Sequence, residues 1–180
     1  MNMGATTSIR RGGVPDAEAV ARLHIDSWRA TYQSELPAWY LDGLDLSART
    51  AQWRNRIALP GVRILMAACG DAAIGFAAFG PSRDPDLDPS VWSQIYNFHV
   101  APSRRGQGVG IRLWQTMLAE LEPAGSAGLT LWVVPTNQGA RHFYERRGLR
   151  ADGKMQFESL APGAGFEELR YRGRFAEMKA

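Results

Sequence analysis

The chain has 180 residues, 45% of them apolar, and a formal net charge of +3. This suits a single domain with a core that needs no covalent staples, and it is too mildly basic to argue for nucleic acid. The lone Cys69 excludes an internal disulfide framework or a cysteine-built metal site, and neither a signal peptide nor a run of roughly 18 apolar residues is present, so a soluble, cytoplasmic protein is expected, with no membrane partner.

Thr7 to Arg11 reads as a short first strand. Pro15-Asp16 opens a helix, with Asp16 and Glu18 near the positive end of its dipole. Val20, His24, Trp28 and Thr31 share one face of this helix, which runs to about Tyr32. Leu36-Pro37 begins a second helical region, interrupted near Gly43; Ser47 is placed to cap the piece reaching Ile57, and Pro60-Gly61 ends it. Val62 to Cys69, a Gly70-Asp71 turn and Ala72 to Phe79 read as a hairpin, with Cys69 as a small apolar member. Gly80 to Ser90 carries several acids, but its prolines and lack of ligand spacing favour a solvated loop over a cation site.

Val91 to Val100 reads as a strand that leads through Ala101-Pro102 into a glycine-rich turn. In the helix that follows, Ile111, Trp114, Met117, Leu118 and Leu121 mark one apolar face, and Pro123 ends it. Leu129 to Val134 is a buried strand, and Asn137 to Arg147 a helix capped by Gly148. Leu149 to Leu160 and Glu167 to Phe175 are late strands joined by Ala161 to Gly165. Neither repeat nor linker interrupts this order, so one domain spans 1–180, with an ordered core of 7–175 and a mixed α/β layer architecture.

The segment Arg105-Gly106-Gln107-Gly108-Val109-Gly110 carries chemistry. A helix N-terminus has about four unpaired amides and roughly half a positive charge. Glycines let an anion approach those amides, and Arg104 and Arg105 add charge beside them. A pyrophosphate or phosphate site is expected. The spacing Gly-x-Gly-x-Gly, late in the chain, is not the dinucleotide fingerprint, and no Gly-Lys-Ser/Thr follows. Arg141, Arg146, Arg147 and Arg150 form a second basic group, either a solvated face or a partner for a polyanionic small molecule.

Together, Gln94-Ile-Tyr-Asn-Phe-His-Val-Ala-Pro102, the Arg-x-x-Gly-x-Gly pattern at 105–110, Asn137 and Tyr144 within HFYERRG resemble the GNAT acyltransferase superfamily over 7–175. The N-terminal run HIDSWRATYQSELPAWYLDGL resembles a bacterial subgroup of it. The resemblance implies acetyl-CoA as donor, no metal, and direct attack by the amine of a small-molecule or peptide acceptor. It also implies a central sheet splayed beside the glycine turn. Backbone groups of Phe98, His99 and Val100 would meet the pantetheine arm, and one amide would face the thioester oxygen. The amides of Arg105, Gly106, Gln107, Gly108, Val109 and Gly110 would hold the pyrophosphate. Asn137 matches a position that contacts the cofactor arm, and it also suits a helix N-cap. Tyr144 matches the usual general acid, and it also suits a core position beside Phe143.

Many relatives carry a glutamate where this chain has Gln94, and Gln cannot take a proton. Glu35, Asp26 or Asp42 as base, an ordered-water relay, or an acceptor amine of low pKa remain open. The same gap motivates a non-catalytic acyl-CoA-binding or sensing domain as the alternative function. Trp28, Tyr32, Gln94 and Tyr96 are the candidate acceptor-binding residues, with Trp39, Tyr40 and Trp92 as further aromatic candidates. A nucleic-acid module is a third reading, on Arg170, Arg172 and Arg174 alternating along the last strand. Dimers are common among look-alikes, so a homodimer is left open.

Overall fold

Strands buried on both faces read as unbroken apolar runs, and two such runs form β2 (Arg63–Cys69) and β3 (Ala72–Pro81). The structure, a computed structural model, describes residues 6–122 and 124–178. β1 (Thr7–Arg11), β4 (Trp92–Val100), β5 (Gly128–Val133), β6 (Arg150–Ala161) and β7 (Ala164–Arg174) complete a seven-stranded sheet, in the order β1-β2-β3-β4-β5-β7-β6. Every neighbouring pair is antiparallel except β4 and β5, which run parallel. The expected mixed α/β architecture is therefore present.

Helices cover both faces. α4 (Val109–Leu121) packs Leu113, Trp114, Met117 and Leu121 against Leu65, Ala77, Phe79 and Leu129. α1 (Ala17–Thr31) and α3 (Leu46–Ile57) pack Val20, Ala21 and Trp53 against Ile64, Met66 and Phe76 on the other face. Each large side chain so buried stabilises the fold by roughly 1.5–3 kcal/mol. The short α2 (Ala38–Asp42) packs Leu41 with Trp28 and Phe166 in a third cluster beside the β6–β7 hairpin. No helix among the described residues is long and apolar enough to cross a membrane.

Several boundaries differ from the sequence expectation. Asp45, not Ser47, caps α3: its carboxylate accepts from the Ala48 amide at 2.7 Å. The segment Val14–Asp16 is a single 3-10 turn ahead of α1. α5 (Gln138–Glu145) ends through Gly148, which sits at φ +93°; the Gly148 and Leu149 amides donate back to the Glu145 and Tyr144 carbonyls. The late hairpin turns on Pro162-Gly163 alone, since Ala161 already pairs with Ala164. Pro123 lies outside the described residues.

The acidic loop after β3 is only partly solvated. Asp84 is buried, and its carboxylate accepts from Thr130 Oγ1 at 3.0 Å and Trp132 Nε1 at 2.8 Å. Arg170 of β7 is 1% exposed; it donates to both oxygens of Asp86 at 2.7 and 2.9 Å, and to Asp152 of β6 at 2.6 Å. Arg172 lies 3.3 Å from Asp152, and Arg174 stacks 5.8 Å from the Trp92 ring. Arg170, with Arg172 beside it, thus belongs to an ion cluster, and the basic stripe behind the nucleic-acid reading loses its buried member. Ladder geometry put them on one side; the acids that neutralise Arg170 come from the loop and from β6.

Arg170 fixes the protonation of its partners. Its hydrogen bonds, with help from Lys154, hold Asp86 well below the usual carboxylate range. Burial pushes Asp152 up, but hydrogen bonds from Arg170 and the Lys154 amide outweigh it and leave Asp152 lowered. Lowered carboxylates contribute stability above their ordinary pKa that is lost as pH falls through the folded value. Arg170→Met should cost about 3 kcal/mol in urea unfolding, because it strands buried acid. It should also flatten the loss of stability below about pH 4.

Candidate active site

The pairing between β4 and β5 is brief. It runs from Trp92↔Gly128 to Ile95↔Leu131 and stops. β3 and β4 slip register between Ala78 and Phe79, so that Tyr96 is the extra residue. Beyond it, β4 stays paired to β3 through Val100, while β5 continues along β7 through Val133. The backbone edge of Phe98, His99 and Val100 therefore has no β5 partner. A cavity of about 800 Å³ occupies this fork, a size that suits a cofactor together with a small substrate.

At one end lies the glycine turn. Gly106 and Gly108 sit at φ +75° and +81°, and a Cβ at either would meet no protein atom within 4 Å. The conformation requires glycine, and the space above it is open. Gly108 occupies the N-cap of α4 with no side chain on the first-turn amides, which stay available to an anion. Gly110 serves packing, since its Cβ would meet Phe143 at 3.3 Å. Arg104, Arg105, Arg146 and Arg147 also line the cavity. Arg105 is tied to α1 through Thr31 Oγ1 at 3.0 Å. Val109 turns its side chain into the core, and the Gln107 amide donates to the Ser103 carbonyl, so these two offer only backbone to the turn. Of the second basic group, Arg141 is held by the Tyr171 hydroxyl and the Pro135 carbonyl, and Arg150 by the Glu145 and Leu149 carbonyls.

Tyr144 lines the cavity from α5 and is 7% exposed. Burial, with Tyr32 nearby, pushes its phenol well above the ordinary value. Asn137 is the N-cap of α5, its Oδ1 accepting from the Ala140 amide at 3.2 Å, and it also lines the cavity. The N-cap reading is thus seen, and the place of Asn137 in the lining is compatible with the cofactor contact that the resemblance implies. Tyr32 stacks on Phe166 at 5.2 Å; burial raises its phenol to about 12, against a hydrogen bond from Asn137 that works the other way. His99 is pushed down to about 4 by burial and then by Arg105, so it is neutral at neutral pH.

Trp28, Tyr32 and Tyr96 line the cavity as expected of acceptor-binding residues, whereas Trp39, Tyr40 and Trp92 do not. Gln94 does not either. It is buried, and its Oε1 accepts from the Arg83 amide at 2.7 Å. The family resemblance suggested the cavity; the loop after β3 claims the side chain instead. Asp26, Glu35 and Asp42 also lie outside the lining.

The only carboxylate lining the cavity among the described residues is Glu168 of β7, which the sequence reading missed. Burial and neighbouring Glu158 raise its pKa, while a hydrogen bond from Gln156 at 2.8 Å opposes them. A Glu in an amphipathic strand looks like surface. The available signal was its period-2 alignment with Phe166 and Arg170, both of them buried.

Residues 25–149 match the family model described as Acetyltransferase (GNAT) family. The chain is 29% identical over 130 residues to YuaI of Bacillus subtilis, an uncharacterized N-acetyltransferase, covering 72% of this chain and 73% of that one. It is 26% identical to an L-methionine sulfoximine/L-methionine sulfone acetyltransferase of Pseudomonas aeruginosa, covering 83% and 84%. YncA of Salmonella typhimurium, solved with acetyl-CoA, superposes with a TM-score of 0.69 at 18% identity, covering 97% of each chain.

Proposed function

The chain belongs to the acetyltransferase (GNAT) family, and we propose that its cavity transfers an acetyl group from acetyl-CoA directly to the amine of a small-molecule or peptide acceptor. The observation that carries this reading is the convergence of the glycine turn, the unpaired edge of β4, Tyr144 and Glu168 on one cavity. A single catalytic domain is supported by one sheet that runs from Thr7 to Arg174 with helices on both faces.

The residues fit the donor. The amides from Arg105 to Gly110 suit the pyrophosphate, with Arg104, Arg105, Arg146 and Arg147 around them. The backbone of Phe98, His99 and Val100 suits the amide groups of the pantetheine arm, as an added strand would. One N–H on that edge faces the thioester oxygen and stabilises the charge that develops there. Asn137 meets the arm beside it.

The acceptor arrives as an ammonium, with a pKa near 10.4 when it resembles lysine. Glu168 removes one proton, directly or through a water. The amine lone pair then attacks the carbonyl carbon. As the carbon–sulfur bond breaks, Tyr144 gives its proton to sulfur, and it regains one from the nitrogen that has become an amide. Coenzyme A leaves as the thiol, and Glu168 releases its proton to solvent. The buried phenol is a weak acid, but a thiolate leaving into the same dry space is raised by the same desolvation, which narrows the mismatch. With Glu168 available, Gln94 gives no reason to favour a non-catalytic domain.

Thiol release from acetyl-CoA with a panel of amines tests the reading; donor binding without release for any amine would sink it. Tyr144→Phe should lower kcat by about 10²-fold with the KM for acetyl-CoA little changed. Unchanged turnover would remove Tyr144 from the mechanism. Glu168 acts only when ionised, so kcat/KM should fall as pH drops through a value above the ordinary glutamate range, as its burial dictates. Glu168→Gln should lower kcat/KM by about 10²-fold and abolish that limb.

A further inference from the structure

The two outer strands of the sheet differ in kind. β1, at one edge, is five residues long and finishes on Arg10 and Arg11, each ion-paired to an acid of its own chain. β6, at the other, is twelve residues long and pairs with β7 alone. Every residue from Gly153 to Ser159 is exposed, so neither helical layer covers this edge. Folded chains commonly guard an open edge with bulges, and β6 shifts register between Ala151 and Met155 and again between Ser159 and Ala161. From Met155 to Ser159 it runs without interruption, an open row of backbone groups.

This stretch holds two large apolar side chains in solvent. Met155 is 56% and Phe157 65% exposed, and Phe157 is the most exposed large apolar side chain among the described residues. The two stand two positions apart, on one face of the strand. The Phe157 ring is laid against the sheet over Gly165, where a Cβ would meet it at 2.7 Å. On the other face, Lys154 and Glu158 flank Gln156. Lys154 lies 2.8 Å from Asp86 with half its side chain exposed. Glu158 makes no ion pair or side-chain hydrogen bond among the described residues, and it acts on Arg56 only through space.

These features complement themselves in one register. Two antiparallel copies of an edge strand are related by a two-fold axis perpendicular to the sheet, and that axis must pass at a residue if each face is to continue across the joint. With the axis at Gln156, Met155 of each copy faces Phe157 of the other, and Lys154 faces Glu158. An axis at Lys154 or at Glu158 sets that charge against itself, and one at Met155 sets Asp152 against Glu158. An axis at Phe157 leaves Met155 opposite Ser159 and Lys154 opposite Leu160.

We propose that the chain forms a two-fold homodimer through antiparallel pairing of β6 with β6 of a second copy, centred on Gln156. The two seven-stranded sheets then run as one. Gln156, at the axis, donates to Glu168 at 2.8 Å, so the joint adjoins the wall of the cavity. The proposal stands apart from the acetyl-transfer reading, and its test needs no substrate.

Sedimentation velocity of the full chain, from low micromolar to submillimolar concentration, should show a monomer–dimer equilibrium. Phe157→Asp should raise the dissociation constant by roughly tenfold or more, since it removes two cross-strand apolar pairs and places a charge in each. Glu158→Lys and Lys154→Glu should each weaken self-association severalfold, because each sets like charges face to face. An equimolar mixture of those two variants should recover most of the parent's affinity, since every facing pair is then opposite in sign. A folding defect cannot produce that recovery. Circular dichroism of all three variants should match the parent, as the three positions are exposed. A monomer at every concentration, a dimer that tolerates the three substitutions, or a mixture that associates no better than its members would overturn the proposal.

Discussion

β4 and β5 part after four paired residues, and the rest of the site depends on that separation. Backbone amides and carbonyls in a protein interior must find partners. Past Ile95, β4 has β3 on one side only, and its other side opens on the cavity. A closed sheet would satisfy those groups internally and leave nothing for a ligand. The bulge at Tyr96 starts the divergence, and α5 maintains it. Phe143 lies 5.5 Å from the Phe98 ring and 6.0 Å from Trp114, so an aromatic wedge fills the place where β5 would otherwise run beside β4. Gly110 is small because this wedge stands over it.

The fork also needs a fixed closed end, and the loop after β3 supplies one. Gln94 and Thr130 face each other in one of the last parallel pairs. The Gln94 side chain holds the Arg83 amide, and the Thr130 hydroxyl holds the Asp84 carboxylate. Two consecutive loop residues are thus fastened to the two strands just before they separate. Arg170, through Asp86 and Asp152, anchors the same loop to β7 and β6. Buried charge of this kind adds little net stability against an apolar replacement, but it tolerates few alternative arrangements. Specificity of position is what a site built between diverging strands requires.

The parts of this design that were legible in the sequence are those set by local chemistry. The period of α4, the apolar runs of β2 and β3, and the glycines of the turn each follow from constraints within a few residues. Asn137 and Tyr144 were legible only through the resemblance to the family, and both line the cavity. What escaped depends on contacts distant in sequence. The burial of Asp84 is decided by Thr130 and Trp132, and the neutralisation of Arg170 by residues 18 and 84 positions away. The capture of the Gln94 side chain by the Arg83 amide and the place of Glu168 in the cavity lining escaped for the same reason. Alternation along a strand tells which face a side chain takes, and it says nothing about whether a loop will cover that face.

The distribution of charge around the fork bears on how Glu168 would serve as the proposed base. Four guanidinium groups, of Arg104, Arg105, Arg146 and Arg147, line the cavity, and among the described residues Glu168 is the one carboxylate that does. His99 reports the result: burial, and then the charge of Arg105, push its imidazole down to about 4. Both influences act in the same direction on any cation that enters. An ammonium ion in this space loses hydration and faces the same positive potential, so its pKa falls below its solution value. Burial meanwhile raises that of Glu168. The two values move toward each other, and the proton transfer that would be steeply uphill in water becomes a shorter step. The arginines proposed to hold the pyrophosphate would thus also help to free the nucleophile.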